Sequence, residues 1–213
     1  MPLWKVGLMK ALCLSLSNDS LRLKTDRGPR WVTIPVSVKG KKEQKIDEVK
    51  IIFKKKFGDL SNINEMFRHA YGKAKYYQDY KENYENIFLK APPFIANLNE
   101  IIIRRTCNFL EINTPIILAS QLQVSGSKDK LLKNICLERN AAKYISPIGA
   151  MNYLDNSKEF KLEGIEVIYH HYNHPSYNQM YGKFTPYMCI LDLLYNEGPK
   201  SMEIINSGLK IEK

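Results

Sequence analysis

The sequence TPIILAS at residues 114–120 begins the stretch that decides the fold. Short apolar runs predict strands here, at residues 142–146 (AKYIS) and at residues 165–170, and an apolar repeat of three to four predicts a helix over 128–140. Alternation of this kind favours an α/β fold: a largely parallel sheet with flanking helices and Rossmann-like layering. Ligands of such sheets bind beyond the carboxyl ends of the strands. The loops to inspect therefore follow Ser120, Ser146 and His170.

The rest of the chain predicts two further strands and four further helices. The strands are predicted at residues 31–36 (WVTIPV) and 45–53. A helical pattern over residues 62–89 breaks near 74–80. Further helices are predicted at residues 94–110, 187–196 and 200–207.

Composition excludes two broad classes of protein. Of the 213 residues, 44% are apolar, which is enough for a core and argues against a wholly disordered chain. No apolar run approaches the ~20 residues that span a bilayer, and Lys10 interrupts the one short run that resembles a signal peptide. The net charge of +10 indicates either a solvated basic surface or an anionic partner: a nucleic acid, a nucleotide or a phosphorylated sugar.

The four cysteines, at positions 13, 107, 136 and 189, lie far apart in sequence. This spacing predicts buried free thiols in a reducing compartment, and therefore a cytoplasmic protein. Three of the four histidines cluster at His170, His171 and His174, but adjacent residues of a strand face opposite sides, so no metal site is predicted. No nucleophile elbow, Rossmann fingerprint or HExxH motif occurs, and no cofactor is identified.

Two loops of the C-terminal half are candidate ligand contacts, with a plain loop or turn as the alternative for each. Small residues at 125–127 precede the helix predicted from Lys128, an arrangement that suits either an anion or a solvent-exposed cap. In the loop after the AKYIS strand, Gly149 would allow a close backbone approach to a ligand, while Ser146 and Tyr153 would supply hydrogen bonds.

Other candidate site residues are polar or aromatic groups in apolar surroundings. Asp192 lies within an apolar helical run, where a carboxylate either anchors a neighbouring loop or orients a substrate amine. Tyr177 and Gln179 follow the histidine cluster in a loop suited to lining a ligand. Tyr71 and Lys73 belong to an interleaved tyrosine–lysine segment, in which a ring can stack on a base and Lys73 can contact a phosphate.

Five stretches together resemble the WbqC-like proteins. They are WVTIPV (31–36), AYGKAKYY (70–77), KLLKNICLERNAAKYISPIGAMNYL (130–154), EGIEV (163–167) and, most specifically, YGKFTPYMCILDLLYNEGP (181–199). The resemblance covers about residues 24–206 and gives a single WbqC-like α/β domain over residues 24–213. It is carried by Trp31, Pro35, Tyr71, Lys73, Leu131, Leu132, Cys136, Tyr144, Ser146, Gly149, Tyr153, Leu154, Gly164, Ile165, Phe184, Pro186, Asp192, Asn196 and Gly198.

The resemblance implies an enzyme linked to O-antigen (lipopolysaccharide) biosynthesis. Family members are described as candidate glycine or aminoacyl transferases acting on amino sugars. We therefore expect a transferase that places a glycyl or other acyl group on the amino group of a nucleotide-linked amino sugar. Asp192 and Tyr153 are the predicted catalytic residues; Lys73, Tyr71, Ser146, Gly149, Tyr177 and Gln179 are the predicted substrate contacts.

Two alternatives to this reading remain, and the N-terminus bears on one of them. Aminoacyl transfer directed at nucleic acid, on a modified DNA base or from a charged tRNA, also suits the basic charge. Residues 1–23 depart from the family pattern, which begins with a strand, a Gln-Pro and an aromatic Gly-Tyr-Phe segment; only Asn18 or Arg22 matches its Asn-Arg pair. We expect a diverged N-terminal segment there, and a ligand-binding chain without catalysis is the second alternative.

Overall fold

The computed structural model describes residues 19–37 and 44–212, which form two compact units. The larger unit holds the described residues up to Asn113 together with His174–Ser207; the smaller holds Thr114–Asn173 and the segment from Gly208. The signal-like run, Cys13, Asn18 and most of the predicted N-terminal segment lie outside the described residues. No helix in the described ranges has the length and apolarity needed to cross a membrane.

The regular elements mix helix and strand throughout the described chain. In chain order they are β1 (Ser20–Thr25), β2 (Gly28–Thr33), α1 (Ser61–Tyr71), α2 (Tyr77–Leu89), α3 (Ile95–Phe109), α4 (Lys128–Glu138), β3 (Lys143–Pro147), α5 (Met151–Asp155), α6 (Glu159–Leu162), β4 (Glu166–Tyr172), α7 (Ile190–Glu197), α8 (Ser201–Ser207) and β5 (Leu209–Glu212). The mixed α/β class is confirmed, and so are the predicted helices, with shifts of a few residues at their ends.

The larger unit packs helices against an antiparallel hairpin. β1 and β2 pair through a tight turn at Gly28, whose φ of +96° suits glycine. Leu21 and Val32 on the inner face are 2% exposed. β1 runs across the boundary between residues 23 and 24 at which the sequence analysis divides the chain; the assignment of residues 24–213 to one domain stays a prediction.

Aromatic rings form the core of the larger unit around Tyr195 of α7. The Tyr195 ring centroid lies 5.4 Å from that of Tyr71, 5.0 Å from that of Tyr77 and 6.1 Å from that of Phe67. Each such ring buries a large apolar area, and ring pairs in this distance range add roughly 0.5–1.5 kcal/mol. α7 is thereby fixed against α1 and α2.

The smaller unit contains the three-stranded sheet β3–β4–β5. β3 and β4 are parallel, and β4 and β5 are antiparallel. Cys136, Leu154, Phe160 and Ile165 form its buried core, with the Tyr144 ring stacked 5.2 Å from that of Phe160. The described strands thus contain one parallel pair, so the predicted largely parallel sheet with Rossmann-like layering is not confirmed.

The strand predicted at residues 114–120 is wrong. Residues 112–118 have no regular secondary structure, and Ala119–Gln121 form a 3-10 turn. Pro115 has no N–H to donate to a strand ladder, and Ile117 is 41% exposed instead of buried. The Gln121 side chain accepts a hydrogen bond from the Leu118 N–H at 3.3 Å, which favours the turn.

The strand predicted at residues 45–53 is also wrong for most of its length. Ile46–Glu48 form a 3-10 turn, since the Glu48 carboxylate accepts a hydrogen bond from the Lys45 N–H at 3.1 Å. The residues after it make only isolated antiparallel bridges, between Val36 and Ile51 and between Lys50 and Phe94. The hydrogen bond to the Glu48 side chain stabilises the turn, and the imperfect alternation of apolar residues is too weak a strand signal to prevent it.

Candidate functional site

Helix α7 organises the candidate site in the larger unit. Its apolar residues Leu191 and Leu194 are buried, and the helix ends at Gly198, where φ is +53°. Asp192 and Asn196 lie four residues apart and therefore on one side of the helix. The segment of residues 177–180 lies along that side and is hydrogen-bonded to the side chains of Asp192, Asn196 and Glu197.

The Asp192 carboxylate binds the side chains of two residues of this segment. Its Oδ2 accepts hydrogen bonds from the Tyr177 hydroxyl at 2.7 Å and from Gln179 Nε2 at 2.8 Å. Gln179 is further fixed by Thr185, whose N–H donates to Gln179 Oε1 at 2.8 Å and whose carbonyl accepts from Nε2 at 3.1 Å. These bonds leave the Gln179 amide a single orientation.

The end of α7 binds the backbone of the same segment. Glu197 Oε1 accepts a hydrogen bond from the Asn178 N–H at 2.9 Å. Asn196 Oδ1 accepts one from the Met180 N–H at 3.2 Å, and Asn196 Nδ2 donates to the carbonyl of Asp192 at 2.7 Å. All four residues from 177 to 180 are therefore attached to α7, through either a side chain or the backbone.

The turn between α1 and α2 lies against the other side of the helix end. The Tyr76 N–H donates to the Tyr195 carbonyl at 2.9 Å, and the Lys75 ammonium lies 4.8 Å from the centroid of the Tyr76 ring. A Cβ built on Gly198 would lie 2.6 Å from the Tyr76 ring, so only glycine permits this contact. The glycine is thus required by close approach as well as by its positive φ.

These elements surround a cavity of about 370 Å³. Its wall is polar and mixed in charge, with two ammonium groups, one carboxylate, three amide side chains and one aromatic ring. It is lined by Lys75, Tyr76, Asn178, Gln179, Met180, Asn196, Glu197 and Lys200. Such a wall offers charge-assisted bonds to an anion together with donors and acceptors for hydroxyl or amide groups.

Asp192 lies behind this wall, with none of its surface exposed. Burial raises its pKa above 3.8, against the opposing effects of Tyr177, Tyr71, Gln179 and the charge of Lys24. Its Oδ1 is buried and has no hydrogen-bond partner among the described residues. Burial also raises the pKa values of Tyr71 and Tyr177, so both hydroxyls keep their protons at neutral pH.

A buried lysine belongs to the same network. Lys24 is 2% exposed; its ammonium donates to the Lys183 carbonyl at 2.6 Å, and its backbone N–H donates to the Tyr71 hydroxyl at 2.9 Å. β1 thereby ties the segment after residue 180 to α1. The cation also lowers the pKa of Asp192, in opposition to burial.

Comparison with known proteins identifies the family of this chain. The profile of the WbqC-like protein family matches residues 18–204. The chain belongs to the WbqC-like family. It is 29% identical over 187 residues to the uncharacterized protein Rv1507c of Mycobacterium tuberculosis, which covers 86% of this chain and 79% of that relative. No solved structure matches the chain.

In this WbqC-like chain, four of the predicted site residues are neighbours. Tyr71, Tyr177 and Gln179 surround Asp192 in the larger unit, and Gln179 also lines the cavity. Lys73 is exposed in the turn before α2, and the cavity wall carries Lys75, two residues later.

The other three predicted residues belong to the smaller unit. Ser146 is 1% exposed in β3, and a Cβ on Gly149 would meet nothing within 4 Å, so no close approach within the protein requires a glycine there. The Tyr153 hydroxyl accepts a hydrogen bond from the Asp129 N–H at the start of α4, and Asp129 accepts another from the Ser157 hydroxyl at 2.6 Å. The polar groups of this loop thus hold the beginning of a helix.

The loop predicted to bind an anion near residue 125 borders a second, open cavity of about 590 Å³. The Ser125 carbonyl accepts a hydrogen bond from the Asn134 side chain at 2.8 Å. Side-chain amides and Glu138 dominate the wall, which is lined by Gln121, Gln123, Val124, Ser125, Asn134, Leu137 and Glu138. The part of this wall formed by described residues has no lysine or arginine, and so does not suit an anion.

The histidine cluster is divided between the two units: His170 and His171 belong to the smaller, and His174 packs in the larger. The His174 ring contacts Phe184 at a centroid distance of 5.5 Å and Tyr187 at 5.3 Å. Within the described ranges, no three His, Cys, Asp or Glu side chains lie close enough together to hold a metal ion.

Sequence reasoning missed seven residues of the WbqC-like site: Lys24, Lys75, Tyr76, Asn178, Met180, Glu197 and Lys200. Lys75 and Tyr76 stand in the tyrosine–lysine segment that drew attention to Lys73, and only the turn geometry distinguishes them. Glu197 and Lys200 flank the Gly-Pro pair that ends α7. Charged residues beside such a helix-ending pair are the signal that could have identified them. Lys24 gives no such signal, because a lysine in a strand is ordinarily exposed.

Proposed function

We propose that this WbqC-like protein is an acyl or aminoacyl transferase that acylates the amino group of a nucleotide-linked amino sugar, in the synthesis of a surface polysaccharide such as the O antigen. The observation that carries the proposal is the cavity beside α7. Its volume of about 370 Å³ falls in the range of small-molecule sites. Its wall combines the groups that a phosphate-bearing amino sugar requires.

Two lysines give the cavity its affinity for phosphate. Lys75 and Lys200 both line it, and ammonium groups form short, charge-assisted hydrogen bonds to phosphate oxygens. The Tyr76 ring provides a flat face for a sugar or a base. The Asn178 amide offers a donor and an acceptor to sugar hydroxyls, and Gln179 Oε1 keeps a second lone pair that can accept a hydrogen bond.

Glu197 is the carboxylate on this wall, and we assign it as the base. The sugar amine must lose a proton as its nitrogen attacks the acyl carbonyl carbon. The new C–N bond forms, the bond from the acyl carbon to its leaving group breaks with the electron pair going to that group, and Glu197 takes the amine proton. Its hydrogen bond from the Asn178 N–H fixes the carboxylate at the wall.

Asp192 acts in this scheme as a positioning residue. Its carboxylate orients the Gln179 amide, which is the group that reaches the cavity. The catalytic role of Tyr153 and the substrate contacts of Ser146 and Gly149, all in the smaller unit, stay predictions. We place the reaction in the cytoplasm, since the buried free thiols of Cys107 and Cys136 suit a reducing compartment.

Ligand-induced stabilisation tests the proposal. A ligand that binds only the folded state raises the Tm. We expect a uridine-diphosphate-linked amino sugar to raise the Tm of the chain, and replacement of both Lys75 and Lys200 by Ala to weaken its affinity about tenfold or more. Lys90→Ala removes an exposed lysine of the same unit that is not on the cavity wall, and should leave the shift unchanged.

Two results would contradict the proposal. One is an equal Tm shift in the double lysine variant and in the parent, which would place the ligand elsewhere. The other is binding of the nucleotide-linked sugar without any acylation of its amine by any activated amino acid, tested as the aminoacyl adenylate, thioester and tRNA ester. Glu197→Gln should keep binding and lose acyl transfer, which separates the base from the phosphate contacts.

A further inference from the structure

We propose that the outer face of the β1–β2 hairpin, together with Tyr187 beside it, binds single-stranded nucleic acid. This hairpin face consists of Arg22, Trp31 and Tyr187, with Arg27 in the adjoining turn; the register puts Arg30 opposite Leu23, on the other face. It uses none of the residues that line the cavity beside α7, so it is independent of the proposed function. It lies within the larger unit.

The strand register puts an arginine directly opposite the exposed tryptophan. Arg22 of β1 pairs with Trp31 of β2, so the two side chains lie on the same face of the hairpin. The Arg22 carbonyl accepts a hydrogen bond from the Cys189 N–H at 2.9 Å, so it points away from β2. Arg22 and Trp31 therefore form a non-hydrogen-bonded pair, the arrangement in which facing side chains are closest.

The segment that ends at Cys189 brings a second aromatic residue to the same strand. Tyr187 lies two residues before Cys189, on the side of β1 opposite β2. Its φ is +63°, a conformation that bulky residues rarely adopt and that costs about 1–3 kcal/mol. The His174 ring contacts it edge to face at 5.3 Å.

Both rings remain exposed although each has a large apolar area. Trp31 is 58% exposed and Tyr187 is 69% exposed. Among the described residues, β2 pairs with no strand other than β1 in this sheet, so it is an edge strand. One exposed ring, Trp31, lies beside Arg22, and the other, Tyr187, belongs to the segment bound to the opposite edge of the same strand, so both can serve as stacking surfaces.

The positive charge of the hairpin indicates which kind of ligand would stack on these rings. Arg22 lies on this face and the exposed Arg27 and Arg30 lie near it, against the single acid Asp26 of residues 20–33, in a chain of net charge +10; Lys24 is buried and does not contribute. Arginines bind phosphates, and bases stack on exposed aromatic rings whatever their sequence. A duplex hides its base faces, and an acidic polysaccharide has none, so single-stranded nucleic acid matches both features.

Fluorescence and anisotropy test this binding directly. Trp4→Phe leaves Trp31 as the only tryptophan of the full chain. We expect an oligothymidylate of about twelve nucleotides to quench its fluorescence to saturation, with affinity falling as salt rises. With a labelled oligonucleotide, Trp31→Ala and Tyr187→Ala should each weaken binding about fivefold or more, and Trp31→Phe should retain most of the affinity. Arg22→Gln should lower the salt slope by about 0.7.

Matched controls keep the outcome decisive. Phe57→Ala removes another exposed ring, 74% exposed in the same unit, and should leave binding unchanged. Unaltered Tm values show that the variants fold. Binding that does not depend on Trp31, equal affinity for a duplex of the same length, or equal Trp31-dependent binding of heparin would each overturn the inference. If the nucleotide-linked sugar still binds in those cases, the proposed function stands without it.

Discussion

Gly198 shows how a single residue can determine the shape of the cavity. It ends α7 at a φ of +53° and lets the Tyr76 ring lie where a Cβ would come within 2.6 Å. Both requirements exclude a side chain, the first through backbone strain and the second through overlap with a ring that itself lines the cavity. The glycine thus links the end of a helix to the position of a wall residue.

We predict that Gly198→Ala lowers the free energy of unfolding by about 1–3 kcal/mol and weakens binding of the nucleotide-linked sugar. Urea unfolding and calorimetry measure the two effects. Gly149→Ala is the matched control, because its Cβ would meet nothing within 4 Å and its φ is not positive, so stability should change little. A variant at Gly198 as stable as the parent would contradict the geometry of the Tyr76 contact.

Asp192 gives a prediction of pH dependence. Its pKa is raised by burial, so as pH rises above about 3.9 the unfolded carboxyl ionises while the folded one still holds its proton. The unfolded state then binds fewer protons, and the free energy of unfolding falls with rising pH until the folded pKa is passed. The Asp192→Asn variant lacks the titration of this carboxyl, while its other carboxyls titrate as in the parent. The difference between the two proteins therefore isolates the contribution of Asp192.

The difference in unfolding free energy, parent minus Asp192→Asn, should therefore decrease as pH rises from about 3 through the folded pKa, and then level off. Urea unfolding of both proteins across this range measures it. A difference that stays constant or increases would mean that the hydrogen bonds from Tyr177 and Gln179 outweigh burial.

Among the elements, the helices could be predicted and several strands could not. Residues 95–109 and 128–138 carry apolar faces at helical spacing, which is a local property of the sequence. A strand also needs a partner, and partners are set by tertiary structure. The apolar run TPIILAS therefore predicts a buried strand, but its Ile117 is 41% exposed. The strand β1, with alternating Leu21 and Leu23, is not among the predicted strands.

The same distinction applies to the site. Asp192, Gln179 and Tyr177 could be predicted, because a carboxylate in an apolar helix and a polar aromatic loop are visible locally. The cavity wall could not, since it depends on which residues of the 177–180 segment face the helix end. Lys75 rather than Lys73 lines the cavity, and nothing in the order of residues distinguishes the two.

Asn196 tests the attachment of that segment to α7. Asn196→Ala leaves the Met180 N–H without its acceptor and removes the side-chain hydrogen bond to the Asp192 carbonyl. We expect a loss of about 1–3 kcal/mol in the free energy of unfolding and weaker binding of the nucleotide-linked sugar. Asn86→Ala, an exposed position of α2, should cost little by comparison. Equal effects of the two substitutions would show that the attachment does not stabilise the unit.

At the scale of the whole molecule, the buried thiols report on both units in one measurement. Cys107 lies in the larger unit at 2% exposure and Cys136 in the smaller at 5%, and burial raises the pKa of both. Burial raises the pKa of Cys189, in the larger unit, to about 12. Since the thiolate is the reactive form, all three should resist a disulfide reagent near pH ~8.

We predict that the three remaining thiols of the Cys13→Ser chain react at least about a hundredfold more slowly in the native than in the denatured chain, because Cys107 and Cys136 react only after local opening and the half-buried Cys189 has a raised pKa. Spectrophotometry of the released chromophore measures the rates, and Cys136→Ser in the same background assigns the fraction that belongs to the smaller unit. Urea added below the unfolding transition should accelerate the reaction of the thiols of each unit, and the acceleration should be larger in the less stable unit. One equivalent released at the denatured rate would contradict the burial of that thiol, and the cysteine variants would identify which core is open.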